Sequence, residues 1–277
     1  MNREEMIYAR VQEHYDYLTS KGYEVVCTML QGSQNYGLDE YTETYQSDID
    51  TKSIVLPSLN DIVNAATPIS TVEVMDNDEH AEVKDIRVMC DMFLKMNISY
   101  IELLYSKFVV VNPKYTEYVK LLFEMREALT VFNTNQFLRC ICGMAYEKQK
   151  ALCHPYPATM DKIEKWGYDG KQLSHAARLW EFILRYTAGE PISACYQSKL
   201  KPLLMNFKKQ QDHNGETLSK EAAIELCDWY VAEVKRIKDE HLDPEDKTRP
   251  SVAAALNKWK AAVIKKRLKE EILNGDN

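Results

Sequence analysis

The chain has 277 residues, of which 45% are hydrophobic and 28% charged, with a net charge of −7. That length allows one large domain or two modest ones, each with its own core. The acidic balance excludes a general nucleic-acid coat, although a local basic groove stays compatible with it because recognition follows where charge sits rather than its sum.

The first residues, MNREEMIYARVQEHY, contain no apolar core of a signal peptide. No run approaches the roughly 18 apolar residues of a membrane span. Seven cysteines, an odd number, lie in apolar stretches without a CxxC pair. They read as reduced core residues of a cytoplasmic protein.

In chain order, residues 3–20 carry apolar or aromatic side chains at 7, 8, 11, 15 and 18, the spacing of an amphipathic helix ended by Gly22. VVCTML (25–30) predicts a buried strand that runs into Gly32-Ser33. IDTKSIVL (49–56) predicts a second strand, stopped by Pro57. TVEVM (71–75) and HAEVKDI (80–86) flank DNDE and predict a hairpin. Asp85 suits the N-cap of a helix over IRVMCDMFLKM. Beyond about residue 113 the pattern is helical: FNTNQFLRCICGMAYEKQKAL, KQLSHAARLWEFILRYTAG, SKEAAIELCDWYVAEVKRIKDEH and SVAAALNKWKAAVIKKRLKEEI. The expected class is α+β, with a small mixed-sheet head over 1–112 and an all-helical domain over 113–277. LDPEDKTRP (242–250) reads as a loop before the last helix.

Chemistry concentrates in GSQNYGLDEYTETYQSDID, residues 32–50. Alternation along an extended chain puts Asp48 and Asp50 on one face. Two adjacent carboxylates repel unless a cation or proton sits between them. Magnesium takes oxygen ligands, usually a few carboxylates with phosphate and water. Two such ions can clamp the attacking and leaving oxygens of a phosphoryl displacement. A third carboxylate is available from the hairpin as Glu82 or Asp85. Alternation puts His80, Glu82 and Lys84 on one face and Asp85 on the other, and Asp85 has a competing role as N-cap, so Glu82 is favoured.

Gly32-Ser33 followed by Ser47-Asp48-Ile49-Asp50 resembles the signature of the DNA polymerase β-type nucleotidyltransferase superfamily. DIRVMCDMFLKMNISYIELLYS (85–106) resembles the "DLRKFL…GNP…LELL" segment of the RNA-repair-pathway branch of that superfamily. GYDGKQLSHAARLWEFILRYTAGEPI (167–192) resembles the "YD-K-x-x-x-H-x-x-R-L" helix of the same branch. The likeness spans about residues 25–192 and does not extend to the remainder. The gap between the Gly-Ser and Ser-Asp-Ile-Asp motifs is longer than in minimal members and contains EYTETY, which reads as an excursion over the site.

The resemblance implies a nucleotidyltransferase head in which Asp48, Asp50 and Glu82 bind magnesium, in a two-metal site, and through it the triphosphate of an NTP. It implies that Gly32 and Ser33 hold the β and γ phosphates. The third carboxylate would complete the metal site and help deprotonate the acceptor hydroxyl. A nucleoside monophosphate would pass to that hydroxyl and pyrophosphate would leave. The acceptor is open between an RNA end, a protein and a small molecule, with RNA favoured. The alternative reading is a nucleotide-binding regulator or protein-interaction module on the same fold.

Lys171, His175 and Arg178 fall at i, i+4 and i+7 of an otherwise apolar helix and so share a face. A buried helix with such a stripe needs an anionic partner. A triphosphate would serve, placing the nucleotide between head and helical domain. Tyr36 either stacks on a base or packs. Glu102 reads as a capping or core-edge acid, and His154 as a loop residue. Lys258, Lys260, Lys265, Lys266, Arg267 and Lys269 of the last helix read as a solvated face, with contact to an RNA backbone as the alternative.

Overall fold

The structure, a computed structural model, describes residues 2–42 and 46–275. Glu43, Thr44 and Tyr45 of the EYTETY excursion lie outside the described residues. The described chain divides into two units. The first contains residues up to Asn35, Asp39–Asn133 and the C-terminal segment from Lys247; the second contains Tyr36–Leu38 and Thr134–Asp246.

The first unit opens with helix α1 (Arg3–Ser20), whose N-cap Asn2 forms a reciprocal capping box with Glu5. Ile7, Val11, His14 and Leu18 form its buried face. Strand β1 (Val25–Gln31) is buried on both faces up to Leu30, and it lies inside the sheet. The one-turn helix α2 (Ser33–Tyr36) follows at once, then strand β2 (Asp50–Val55), the short helix α3 (Leu59–Val63), and strands β3 (Ser70–Val74) and β4 (His80–Asp85). Helices α4 (Ile86–Leu94) and α5 (Ile98–Ile101) lead to strand β5 (Val109–Val111) and helices α6 (Thr116–Glu124) and α7 (Arg126–Thr130).

The sheet order is β3-β4-β2-β1-β5. Only β2 and β4 pair in parallel; the rest are antiparallel. The chain leaves β2, runs out to the edge as β3 and returns as β4 between them. One sheet face packs under α1 through Leu30, Ile49, Phe108 and Val110, with Val55, Ala81 and Val83 beside Leu18. Each buried Val, Leu, Ile or Phe side chain among them contributes about 1.5–3 kcal/mol relative to exposure.

The second unit is helical: α8 (Thr134–Ala151), α9 (Met160–Trp166), α10 (Gly170–Thr187), α11 (Ile192–Cys195), α12 (Lys201–Lys208) and α13 (Lys220–His241). Helix α10 lies against α8, α12 and α13. Gly170 is set by space: a Cβ there would come 2.1 Å from the carbonyl oxygen of Phe207.

The last helix, α14 (Pro250–Gly275), returns to the first unit and packs on α4 and α6. A single cut at residue 112 therefore does not describe the division. Residues 113–133 and α14 belong with the sheet. Trp259 Nε1 donates to the carbonyl of Tyr118 at 2.7 Å, and Glu271 accepts the N–H of Leu59 at 3.1 Å. Among the described residues all seven cysteines are free and no helix is long and apolar enough to cross a membrane.

Candidate functional site

The two expected motifs meet at one end of the β1–β2 pair. Gln31 is the register partner of Asp50, so the Gly32-Ser33 turn and the Asp48-Ile49-Asp50 segment lie side by side. Gly32 has φ +105, a conformation that favours glycine, while nothing crowds the position of a Cβ. Its role is to turn the chain from β1 into α2. Ser33 Oγ lies 3.5 Å from Gln34 Oε1. Gln34 Nε2 donates to the carbonyl of Asp48 at 2.7 Å, tying the turn to the acid segment.

Ile49 is buried at 2% exposure, while Asp48 is exposed and Asp50 partly so. Both acids thus reach solvent as alternation requires. Asp48 has no hydrogen bond or ion pair from its carboxylate among the described residues. Asp50 Oδ1 accepts the backbone N–H of His80 at 3.0 Å and faces His80 Nδ1 at 3.3 Å. His80 shares the face and edge of Asp50 because β2 and β4 run in parallel register, Thr51 opposite Ala81.

Glu82 also shares that face, opposite Lys52. It is engaged: Lys52 Nζ lies 2.5 Å and Lys84 Nζ 3.3 Å from its carboxylate. Lys52 is buried, also donates to Gln31 Oε1, and stands over the Tyr100 ring at 5.1 Å. Burial pulls the Lys52 ammonium below its usual value, and Glu82 works against that pull. Asp85 lies on the opposite face, caps α4 by accepting the N–H of Arg87 at 2.8 Å, and pairs with the Arg87 guanidinium at 2.7 Å. Glu102 is buried at the start of a short 3-10 turn.

Among the described residues, no group of three or more His, Cys, Asp and Glu side chains is gathered as a metal site. Asp48 and Asp50 supply the oxygen donors magnesium prefers and leave its other positions to water and phosphate. The expected third carboxylate, Glu82, is engaged by Lys52 and Lys84.

On the α1 side of the sheet lies a network the sequence did not signal. Glu79 Oε1 accepts from Ile49 N at 3.2 Å, while its Oε2 meets Arg10 at 2.8 Å and His14 Nε2 at 3.1 Å. His14 Nδ1 reaches Thr51 Oγ1 at 2.9 Å. The acid segment is therefore held from both faces of the sheet. Glu79 reads locally as a turn residue of DNDE, and only the folded hairpin turns it inward.

In the helical unit, Lys171, His175 and Arg178 share a face of α10 as their spacing requires. Lys171 is exposed, His175 half-buried and Arg178 buried. Tyr36 is 6% exposed, with the Arg178 guanidinium 3.8 Å from its ring centroid and the Tyr196 ring stacked at 6.2 Å. Its ring is a packing surface for Arg178 rather than an open platform for a base. His154 packs on Tyr156 in a loop.

No family model matches the chain, and no curated protein matches it. Among solved structures, the chain is similar to a nucleotidyltransferase-like protein from Exiguobacterium sibiricum, with 11% identity and a TM-score of 0.29, over 94% of this chain and 80% of that one. A likeness at that score does not establish a shared fold.

Proposed function

We propose that the protein is a magnesium-dependent nucleotidyltransferase that moves a nucleoside monophosphate from an NTP to an acceptor hydroxyl. The observation that carries this reading is the Gln31–Asp50 register, which brings a glycine-serine turn beside two solvent-facing carboxylates. Asp48 and Asp50 would hold magnesium. Bound there, the ion would supply positive charge against the triphosphate. Gly32 and Ser33 offer backbone N–H groups and a hydroxyl to phosphate oxygens.

In the reaction the acceptor oxygen bonds to the α-phosphorus, the bond from that phosphorus to the bridging oxygen breaks, and pyrophosphate leaves with its electron pair. The acceptor's proton passes to the Asp50 carboxylate, whose Oδ1 is oriented by His80. On α10, Lys171, His175 and Arg178 are assigned to phosphate. An RNA end is the favoured acceptor.

One observation favours a second reading, a nucleotide-binding sensor that does not transfer. Glu82, the side chain expected to complete the acid set, is neutralised by lysines. Incubation with each α-labelled NTP, magnesium, and RNA or cell lysate separates the two. Label moved to a macromolecule by the native protein, and not by Asp48→Asn/Asp50→Asn, is the expected result. NTP binding without transfer in any sample would select the sensor, and no binding would end both readings.

A further inference from the structure

We propose that the last helix, α14, presents a docking groove for an acidic amphipathic helix of a partner protein. The inference is independent of the transferase reading, since none of its residues belongs to the acid segment, the Gly-Ser turn or the α10 stripe.

Helix α14 carries two apolar rows. Leu256, Trp259 and Val263 fall at i, i+3 and i+7 and are buried, and the helix packs on α4 and α6. Ala261, Ile264, Leu268 and Ile272 form a second row at i, i+3, i+7 and i+11. Together with Arg87 of α4, this second row lines an open groove of about 600 Å³. Ile272 is 50% exposed, and Leu273 beside it 72%. Packing on the body of the protein uses the first row only. A contiguous apolar strip left in water beside charged residues marks an interaction surface.

The rim of the groove is cationic. Lys260, Lys265 and Lys269 line it, and no carboxylate does. Lys265 and Lys269 are exposed and Lys260 is half-buried. None of the three makes a side-chain hydrogen bond or ion pair among the described residues. Their basic neighbours are engaged within the helix: Lys266 pairs with Glu270 at 2.8 Å and Arg267 with Glu271 at 3.5 Å. Arg87 is held by Asp85 at 2.7 Å. In a protein of net charge −7 the groove is a local excess of positive charge, complementary to an acidic partner.

Floor and rim together select the occupant. A second copy of this chain would set lysines against lysines. A nucleic acid would lay its phosphates over an apolar floor that gives them no donor. A membrane needs its apolar side chains in front of the charges, whereas Ile264 and Leu268 are half-buried and Lys265 and Lys269 stand exposed beside them. A helix with an apolar stripe flanked by Asp or Glu satisfies both parts. From Lys260 to Ile272 the groove follows about 18 Å of helix, a little over three turns, which is enough for three or four apolar anchors.

The test is fluorescence anisotropy of the full chain with a labelled, helix-forming peptide of about 14 residues, carrying Leu at i, i+3, i+7 and i+11 and Glu on both flanks. The native protein should bind it saturably, and more weakly as salt rises. Lys265→Glu/Lys269→Glu should weaken binding at least about tenfold, by turning two attractions into repulsions. Ile272→Asp should weaken it about as much, by setting a charge on the apolar floor. All three positions are exposed, so the melting temperatures should stay at the native value and a loss of affinity is not a loss of fold. Peptides with Lys in place of Glu, or Ala in place of Leu, should not bind. Absence of binding by the native chain, or unchanged affinity in Lys265→Glu/Lys269→Glu, overturns the groove. So does tighter binding through these lysines to vesicles of phosphatidylglycerol and phosphatidylcholine in equal parts, or to a short single-stranded RNA. A native dimer in sedimentation that Ile272→Asp dissociates would also overturn it, by showing that a second copy covers the row.

Discussion

Glu79 Oε1 accepts the backbone N–H of Ile49 at 3.2 Å, between the two candidate acids, while Oε2 of the same carboxylate meets His14 at 3.1 Å. Burial alone would raise the Glu79 carboxyl. The His14 hydrogen bond, Arg10 and the Ile49 N–H outweigh it and hold the group below its ordinary value of 4.5. A lowered carboxyl contributes stability above that ordinary range and loses it as pH falls through the folded value. Denaturant unfolding at a series of pH values should therefore show the native protein losing stability on acidification, with Glu79→Gln losing less. Glu79→Ala should cost about 2–4 kcal/mol, because it strands a buried N–H and removes one of the two partners of His14, leaving Thr51.

Lys52 and Glu82 form the second testable pair. Removing one partner of a buried ion pair leaves an uncompensated charge, typically at a cost of about 3–5 kcal/mol. Glu82→Gln should approach that loss, moderated by the partial exposure of Glu82. Lys52→Met/Glu82→Leu should recover most of it, since a hydrophobic pair of similar volume is often neutral. Urea unfolding of the two singles and the double gives the coupling. A Glu82→Gln protein of native stability would show that the lysines do not depend on this carboxylate.

Asp48 should behave in the opposite way. Its carboxylate is exposed, has no partner among the described residues and sits two residues from Asp50. Asp48→Asn removes repulsion and should leave stability within about 0.5 kcal/mol of native, or raise it. On the proposed function the same change should reduce transfer at least about a hundredfold, the usual scale for losing one group that stabilises developing charge. Unchanged transfer by a stable Asp48→Asn protein would remove the acid pair from the chemistry.

Periodicity made much of this molecule readable. The six-residue apolar run before Gly32, the alternation in HAEVKDI and the long helical stretches each carry their pattern locally, and the Asp85 cap is a single side chain beside its own helix. Strand β5 was not legible, because three valines between Phe108 and Asn112 are too short to distinguish from loop. The Lys52–Glu82 pair depends on the parallel β2–β4 register, which the crossover sets and no local pattern encodes. The return of α14 to the sheet unit is likewise a tertiary contact: an amphipathic helix does not announce which surface it will cover. Tyr36 shows the same limit, since its position in the Gly-Ser loop does not tell that Arg178 lies on its ring.

His175 gives the last prediction, one of sign. Burial lowers its pKa first, then Arg178, Lys148, Lys171 and Lys208. A histidine lowered in the folded state binds fewer protons there than in the unfolded chain. Stability is then held above the ordinary value of 6.5 and falls as the pH drops below it, until the folded site itself protonates. His175→Gln, which cannot take the proton, should flatten that slope in thermal unfolding across the same range. A slope unchanged in His175→Gln would mean that other groups carry the pH dependence.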